Sequence, residues 1–317
     1  MLKRKIGIIG AGHVGSHIAF LLAAQGLANE IILYDILTAK AESQVLDLRD
    51  AISYLPYECH VAAGVPETMS DASIIINAAG PGRDTTPHAP NRLALLESGV
   101  LIAKEVASSI KKSGFNGIII SISNPCDIIA AYLQYLLDWP AQKIMGTGTL
   151  LETARLKAKL ANHYDVAQNS IHAMILGEHG DSSLVAWSHA TIGGIKLDEY
   201  NRNSPTLPLE KSSVLKQVHV AGGILMRGKG STEFGIASVA CLLVKAILCN
   251  EHKILPVSVK FHNLYGINDA FTSIPVCIGE SGIERYFELE LSQAELSLLQ
   301  TSAEITNTYF KKTLATK

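Results

Sequence analysis

The sequence predicts an α/β chain, with a doubly wound parallel sheet followed by an α+β region. Three observations carry this expectation. Short isoleucine-rich runs alternate with longer helical patterns through the first half, the rhythm of parallel strands joined by crossover helices. The runs are apolar without interruption, as strands covered on both faces must be. Beyond Gly146 the alternation stops, and long helices precede strand-like segments that read as antiparallel.

Strands are expected at residues 5–9, 31–35, 74–78, 118–123 and 143–145. The helices between them fall at 13–25, 38–53, 91–113 and 127–137, lengths that suit right-handed βαβ connections. This first unit spans residues 1–146. A second unit, 147–317, opens with a helix over 150–164, a short extended segment at 171–176 and polar turns. Residues 200–208, with two prolines among Asn and Ser, read as a loop. A long helix follows over 209–226, the glycines at 228–230 break it, and another helix spans 232–250. Strand-like segments lie at 257–261, 273–278 and 283–288. Ser292 and Glu295 form an S-x-x-E capping box, which satisfies free N–H groups at the start of a final helix reaching residue 313.

Composition narrows the class of function. With 48% hydrophobic residues, the 317-residue chain can fill one large or two medium cores. Formal charge is −2, from 27 basic and 29 acidic residues with no long run of either sign, so no field across the chain draws nucleic acid or an anionic membrane. The five cysteines, Cys59, Cys126, Cys241, Cys249 and Cys277, are odd in number and lack CxxC spacing. They read as buried thiols in a reducing cytosol, and no metal site is expected. The first apolar run stops at Gly10, too early for a signal-peptide core, and the stretch 235–249 is interrupted by Lys245 and too short for a bilayer span. A cytoplasmic location is expected.

Gly10, Gly12 and Gly15 form G-x-G-x-x-G directly after the first strand and at the start of a helix, and Asp35 ends the second strand twenty residues after Gly15. This is the Rossmann dinucleotide fingerprint. The glycines allow a tight turn and close approach of a pyrophosphate, the helix N-terminus stabilises its charge, and the carboxylate accepts hydrogen bonds from the adenosine ribose. Asp35 would repel a 2′-phosphate, and its neighbours Ile36 and Leu37 bring no cation, which favours NAD over NADP. The alternative is a glycine-rich turn in an unrelated α/β protein, with Asp35 capping the next helix.

Oxidising an alcohol by hydride transfer requires a base for the hydroxyl proton, and histidine titrates in the useful range. Of eleven histidines, His179 stands in Gly177-Glu178-His179-Gly180-Asp181, a glycine-flanked turn at a strand end where a side chain can face a cleft. Glu152 and Arg155 stand three residues apart on the helix 150–164 and share a face. That face can present a carboxylate to hold an imidazole in one tautomer and a guanidinium to grip a substrate carboxylate. Local sequence alone leaves open a surface histidine and an ordinary helix ion pair.

The segments Gly10-Ala11-Gly12-His13-Val14-Gly15, Ser123-Asn124-Pro125, Leu151-Glu152-Thr153-Ala154-Arg155 and Gly177 to Asp181, in this order and spacing, resemble the lactate/malate dehydrogenase family over essentially the whole chain. Within it, residues 146–155 and 185–188, with the long segment between Gly80 and Arg92, most resemble the L-2-hydroxyisocaproate dehydrogenase branch. The resemblance implies an NAD-dependent L-2-hydroxy acid dehydrogenase that acts as a homotetramer or homodimer. It assigns His179 as proton acceptor and donor, Glu152 as its partner carboxylate and Arg155 as the anchor of the substrate carboxylate. Asn124 is placed near the substrate oxygen and nicotinamide, and Thr232 lines the pocket for the substrate side chain. Arg92, on a mobile loop, is expected to close over the site and polarise the reacting carbonyl. The expected cofactor contacts are Gly10, Gly12, His13, Val14, Gly15, Asp35, Ala79, Gly80 and Asn124. The family usually has Asp where this chain has Glu152, so a shift of helix or rotamer has to absorb an extra methylene.

Residues 80–92 form a longer segment than typical lactate dehydrogenases have, which suits substrates such as 2-oxoisocaproate, with pyruvate as a smaller one. Counted forward from Gly80, Arg83 falls where malate dehydrogenases carry an arginine for a second carboxylate; counted back from Arg92, that position is Thr85. An inward Arg83 would select oxaloacetate, the malate dehydrogenase alternative. His172 and Lys157 occupy positions where allosteric bacterial lactate dehydrogenases have a histidine and an arginine for a sugar bisphosphate, and only the histidine matches. A further alternative is a non-catalytic NAD-binding sensor, which would have no use for Arg92, Asn124, Arg155 and His179.

Overall fold

The computed structural model describes residues 4–81, 92–203, 207 and 209–315. Six parallel strands, β1 (Lys5–Ile9), β2 (Glu30–Tyr34), β3 (His60–Ala63), β4 (Ile74–Asn77), β5 (Ile118–Ser121) and β6 (Ile144–Gly146), lie in the order β3-β2-β1-β4-β5-β6. Helices α1 (His13–Ala24), α2 (Thr38–Ile52), α3 (Arg92–Ser113) and α4 (Cys126–Leu137) lie between them in the chain. The isoleucine runs explain why the sheet is covered on both faces. Ile6, Ile8, Ile74, Ile76, Ile118 and Ile120 enter one core, and Ile9, Ile32, Ile75 and Ile119 enter the other. Successive side chains of a strand point to opposite faces, so a strand feeds two cores only if it is apolar at every position. β3 has no counterpart among the expected strands. It lies at the outer edge, and of its four residues only Val61 is buried, so it lacks the run that marks the inner strands.

Then come α5 (Leu150–Tyr164), the short strands β7 (Ile171–His172), β8 (Ile175–Leu176), β9 (Leu184–Val185), β10 (Thr191–Ile192) and β11 (Ile195–Lys196), and helices α6 (Leu197–Asn203), α7 (Lys211–Lys229) and α8 (Phe234–Leu248). The chain closes with β12 (Lys253–Leu264), β13 (Ile267–Gly279), β14 (Gly282–Tyr286) and α9 (Gln293–Ala315). β12 to β14 are antiparallel, as expected, but they do not build a sheet of their own. β12 pairs with β6 through Ser258 and Gly146, and one sheet runs β14-β13-β12-β6-β5-β4-β1-β2-β3. Without β12, β6 would be an open edge with unpaired backbone groups.

Helix ends follow local chemistry. α6 occupies part of the segment expected to be loop, held by the buried Leu197. α7 begins at Lys211 because the Glu210 carboxylate accepts the Ser212 and Ser213 N–H groups at 3.2 and 2.6 Å. Gly230, with φ at 83°, ends α7 in the left-handed region that favours glycine. The capping box before α9 is reciprocal: Ser292 N–H donates to Glu295 at 2.9 Å, and Glu295 N–H donates to Ser292 Oγ at 3.4 Å. All five cysteines are free; Cys126, Cys241 and Cys277 are buried, but Cys249 is exposed and Cys59 half-buried, contrary to the expectation of buried thiols throughout. No described helix is long and apolar enough to cross a membrane.

Ile76 is fully buried in β4, well inside the sheet. Ile76→Ala should lower the unfolding free energy by about 2–5 kcal/mol in urea titrations. A change within about 0.5 kcal/mol, the range of surface substitutions, would contradict this packing.

Candidate active site

β1 and β4 are neighbours although β2 and β3 separate them in the chain, so the connections leaving their carboxyl ends diverge and open a crevice there. The glycine loop lies at that point. Gly10 has φ of 100°, and a Cβ on it would come within 2.7 Å of the Ala78 and Ala79 backbone; a Cβ on Gly15 would collide with the Gly10 carbonyl oxygen. Gly12 differs, because a Cβ there would meet only Lys40 Nζ, at 3.7 Å. No side chain caps α1 at Gly12, and the helix begins with His13 and Val14. Two glycines therefore pack the loop tightly while the third leaves room before a helix N-terminus, which fits a pyrophosphate.

Asp35 follows β2 and braces this loop. Its Oδ2 accepts Ala11 N–H at 2.8 Å and its Oδ1 accepts Leu37 N–H at 2.9 Å, leaving lone pairs for ribose hydroxyls. Ile36 and Leu37 are exposed and carry no charge. Lys40, in the first turn of α2, nonetheless brings a cation beside Gly12, a contribution that inspection of Asp35 and its immediate neighbours misses. Ser123 Oγ donates to the Ala79 carbonyl at 2.5 Å, which ties the segment leading to Asn124 to the segment leading to Gly80. His13 Nδ1 lies 3.1 Å from Glu233, just before α8, so the cofactor loop also touches the second half of the chain.

The chemical cluster assembles from α5, α4 and the turn between β8 and β9. Glu152 is buried in the first turn of α5. Threonines on either side fasten that turn to β8: Thr149 Oγ1 donates to the Ile175 carbonyl at 2.5 Å, and Ile175 N–H donates to Thr153 Oγ1 at 3.0 Å. His179 thereby arrives with Nδ1 3.0 Å from Glu152 Oε2, while Arg155 Nη1 lies 3.4 Å from Glu152 Oε1. One carboxylate holds the imidazole with one oxygen and the guanidinium with the other. The extra methylene of Glu152 is absorbed, since its carboxylate reaches the imidazole directly.

Asp127 completes the cluster and was not among the expected residues. Its Oδ2 accepts the His179 backbone N–H at 2.7 Å, and its Oδ1 accepts the Ser258 hydroxyl of β12 at 2.5 Å. The signal for it was present, since Asp127 is the single charged residue in the mainly apolar α4. On the far side of the turn, Ser183 Oγ donates to the Gly180 carbonyl at 2.9 Å and lies 2.8 Å from His219 Nε2 of α7.

Burial works against a charged imidazole, but the charge and hydrogen bond of Glu152, with the charge of Asp127, outweigh it and raise the His179 pKa above its ordinary 6.5. Burial likewise opposes the Glu152 carboxylate, yet the charge and hydrogen bond of His179 hold its pKa below 4.5. For Asp127 burial prevails and pushes the carboxyl up to about 6, against the bonds from Ser258 and His179.

Thr232 is half-buried between α7 and α8. A Cβ on Gly222 of α7 would stand 3.9 Å from Arg155, and one on Gly235 of α8 would press on Leu151 of α5, so both helices flank the cluster. Arg92 begins α3; its side chain, and residues 82–91 with Arg83 and Thr85, lie outside the described residues. His172 is exposed on β7, and burial lowers the pKa of Lys157. His252, Cys277 and Glu284 also gather at one place, but His252 pairs with Glu284 at 2.9 Å and Arg285 reaches the Cys277 sulfur at 3.8 Å, which accounts for the grouping without an ion.

Residues 4–146 match the family model described as lactate/malate dehydrogenase, NAD binding domain, and residues 149–316 match that for the lactate/malate dehydrogenase alpha/beta C-terminal domain. The L-lactate dehydrogenase of Fusobacterium nucleatum is 34% identical over 310 residues, covering 97% of this chain and 96% of that protein. The minor L-lactate dehydrogenase from Enterococcus mundtii, solved in a ligand-bound form, has a TM-score of 0.93 and 34% identity, with 98% of each chain covered. The lactate dehydrogenase from Cryptosporidium parvum, complexed with lactic acid and β-nicotinamide adenine dinucleotide, has a TM-score of 0.92 and 26% identity over 100% of both chains. The class that this fold and crevice define is that of NAD-dependent oxidoreductases acting on the CH–OH group of a hydroxy acid. Within it, the chain belongs to the lactate/malate dehydrogenase family.

The Glu152–His179 pair ties stability to pH. Because the folded pKa of His179 is raised, its contribution is complete below the unfolded value of about 6.5 and is lost as pH rises through the folded value. Because that of Glu152 is depressed, its contribution is complete above about 4.5 and is lost as pH falls. Unfolding free energies of wild type and His179→Gln should therefore differ most in the window between these values and converge at alkaline pH. A constant difference across that range would refute the coupling.

Proposed function

We propose that the chain interconverts L-2-hydroxy acids and 2-oxo acids with His179 as the proton carrier, and that lactate and its longer or branched homologues form the substrate class. The observation that carries the reading is the 3.0 Å bond from His179 Nδ1 to buried Glu152, with Arg155 on the other carboxylate oxygen. Since Nδ1 is engaged, Nε2 is the nitrogen left to exchange a proton with the substrate oxygen. In oxidation the neutral imidazole takes the hydroxyl proton, and Glu152 stabilises the imidazolium that forms. In reduction the imidazolium returns the proton. Arg155 binds the substrate carboxylate with two parallel hydrogen bonds, which fixes the distance from C2 to the imidazole. NAD, when bound, supplies the hydride acceptor, and its reduced form the donor.

Gly10, Gly12, His13, Val14 and Gly15 would hold the pyrophosphate, Asp35 the adenosine ribose, and Ala79, Gly80 and Asn124 the nicotinamide half. Asn124 would also bond near the substrate oxygen, Thr232 would line the side-chain pocket, and Arg92 would polarise the carbonyl. The lactate dehydrogenase relatives favour the lactate type over malate dehydrogenase, and the length of residues 80–92 favours substrates of the hydroxyisocaproate kind. The gathering of His179, Glu152 and Arg155 on one carboxylate disfavours a non-catalytic sensor. The limits of the family matches support a division near Gly146 into cofactor and substrate units. Exposed apolar side chains such as Tyr54, Ile224 and Phe234 support a homo-oligomer, dimer or tetramer, and a cytoplasmic location fits the use of NAD.

His179→Gln should abolish most turnover while NADH affinity, followed by fluorescence titration, stays near wild type; undiminished turnover would remove His179 from the mechanism. Arg155→Leu should raise KM for a 2-oxo acid by roughly 100-fold, the worth of about 3 kcal/mol of charge-assisted hydrogen bonding. An unchanged KM would place the substrate carboxylate elsewhere. NADH oxidation with pyruvate, 2-oxoisocaproate, phenylpyruvate and oxaloacetate ranks the substrates, and a clear preference for oxaloacetate would overturn the lactate-type reading.

A further inference from the structure

We propose that Asp127 is a positioning residue of this reaction: its buried carboxylate anchors the main chain of His179 in register with Asn124, and its charge stabilises the imidazolium. The inference rests on the proton-carrier reading of His179. Asp127 is 2% exposed and stands three residues after Asn124, at the start of α4. Through its two oxygens it joins three elements: α4, the His179 turn at 2.7 Å and β12 through Ser258 at 2.5 Å. Asn124 and His179, which approach the substrate from different parts of the chain, are therefore referred to one side chain.

The choice of a carboxylate calls for a reason beyond bracing. Burying a charge is costly. An asparagine here would keep both contacts without that cost, its Oδ1 accepting His179 N–H and its Nδ2 donating to Ser258 Oγ in the reverse sense, with the Ser258 hydroxyl proton losing its acceptor. Besides that acceptor, what the carboxylate adds is charge.

The groups around the imidazole make that charge consequential. From α5 come Glu152, which favours the imidazolium, and Arg155, which opposes it. From α4 comes Asp127, on the backbone side. The adjoining Glu178 acts on Asp127, favouring its neutral form. From α7, His219 reaches the turn through Ser183, and from β12 the neutral Ser258 donates. The charges of two carboxylates, one bonded to the ring and one to the backbone of the same residue, thus favour the imidazolium against one guanidinium.

Asp127→Asn removes the charge, keeps the bond from His179 N–H and reverses the one with Ser258. The reading is kcat/KM for pyruvate at saturating NADH, between about pH 5.5 and 9.5, a span on either side of the ordinary histidine value. Reduction requires the imidazolium, so activity falls as pH rises through the His179 pKa. With Asp127 neutral the fall should begin at lower pH, leaving the variant roughly three- to tenfold slower on the alkaline side and near wild type on the acid side. Affinity for NADH should not change. Ser258→Ala keeps the carboxylate but withdraws its donor, so it favours the neutral acid and should move the same limb in the same direction by less.

A bracing residue alone would lower the thermal midpoint and leave the limb in place, and that outcome overturns the proposal. If Asp127→Asn does not fold, an unmoved limb in Ser258→Ala overturns it equally. His179→Gln separates the two readings. Retained turnover in that variant refutes the proton carrier itself; loss of turnover there, combined with an Asp127→Asn profile that tracks wild type, refutes only the role of Asp127.

Discussion

Two buried carboxylates, Glu152 on α5 and Asp127 on α4, hold one histidine between them, and the geometry of the site follows from the need to compensate both charges. Glu152 is compensated by an imidazole and a guanidinium, Asp127 by a backbone N–H and a hydroxyl. Stripping one partner from a buried pair leaves an uncompensated charge, a loss of about 3–5 kcal/mol. That penalty makes the arrangement close to all-or-none, so groups far apart in the chain are held in one small volume.

The sheet supplies the frame. β12 joins the parallel strands by pairing Ser258 with Gly146, and the hydroxyl of the same Ser258 bonds Asp127. Glycine suits this close crossing, since a Cβ on Gly146 would stand 3.0 Å from both Ser258 Cβ and Cys126 Sγ. The strand junction that unites the two halves of the chain is therefore also an anchor of the chemical cluster. A second link, His13 to Glu233, runs from the glycine loop to the start of α8. These polar links add to the packing of α1 against α8 and of α4 against α9, which also join the first half of the chain to the second.

Glu152 shows how a departure from a familiar pattern can leave the local chemistry intact. The longer side chain reaches the imidazole nitrogen and places its second oxygen toward Arg155 one turn later on the helix. Charge, acceptor chemistry and contact all persist. The fastening of α5 to β8 by Thr149 and Thr153 fixes the turn from which this side chain extends.

Features that depend on neighbours in the chain are legible in the amino-acid sequence alone. The isoleucine runs, the glycine loop followed by Asp35, the Ser292–Glu295 cap and the shared face of Glu152 and Arg155 all arise from periodicities of two or 3.6 residues or from short local spacings. The chemical types at 152, 155 and 179 are legible for the same reason, together with their resemblance to family motifs. What sequence does not reveal depends on pairing across long separations. β3 is an edge strand without an apolar run, β12 extends the first sheet instead of starting another, and Lys40 comes beside Gly12 only because β2 pairs with β1, so that α2 starts next to the glycine loop. Asp127, Ser258 and His179 lie up to 131 residues apart and become neighbours only when the assembled sheet brings them within hydrogen-bonding distance. Local order is written in short spacings along the chain; the tertiary fold alone decides which distant polar groups are buried together and must satisfy one another.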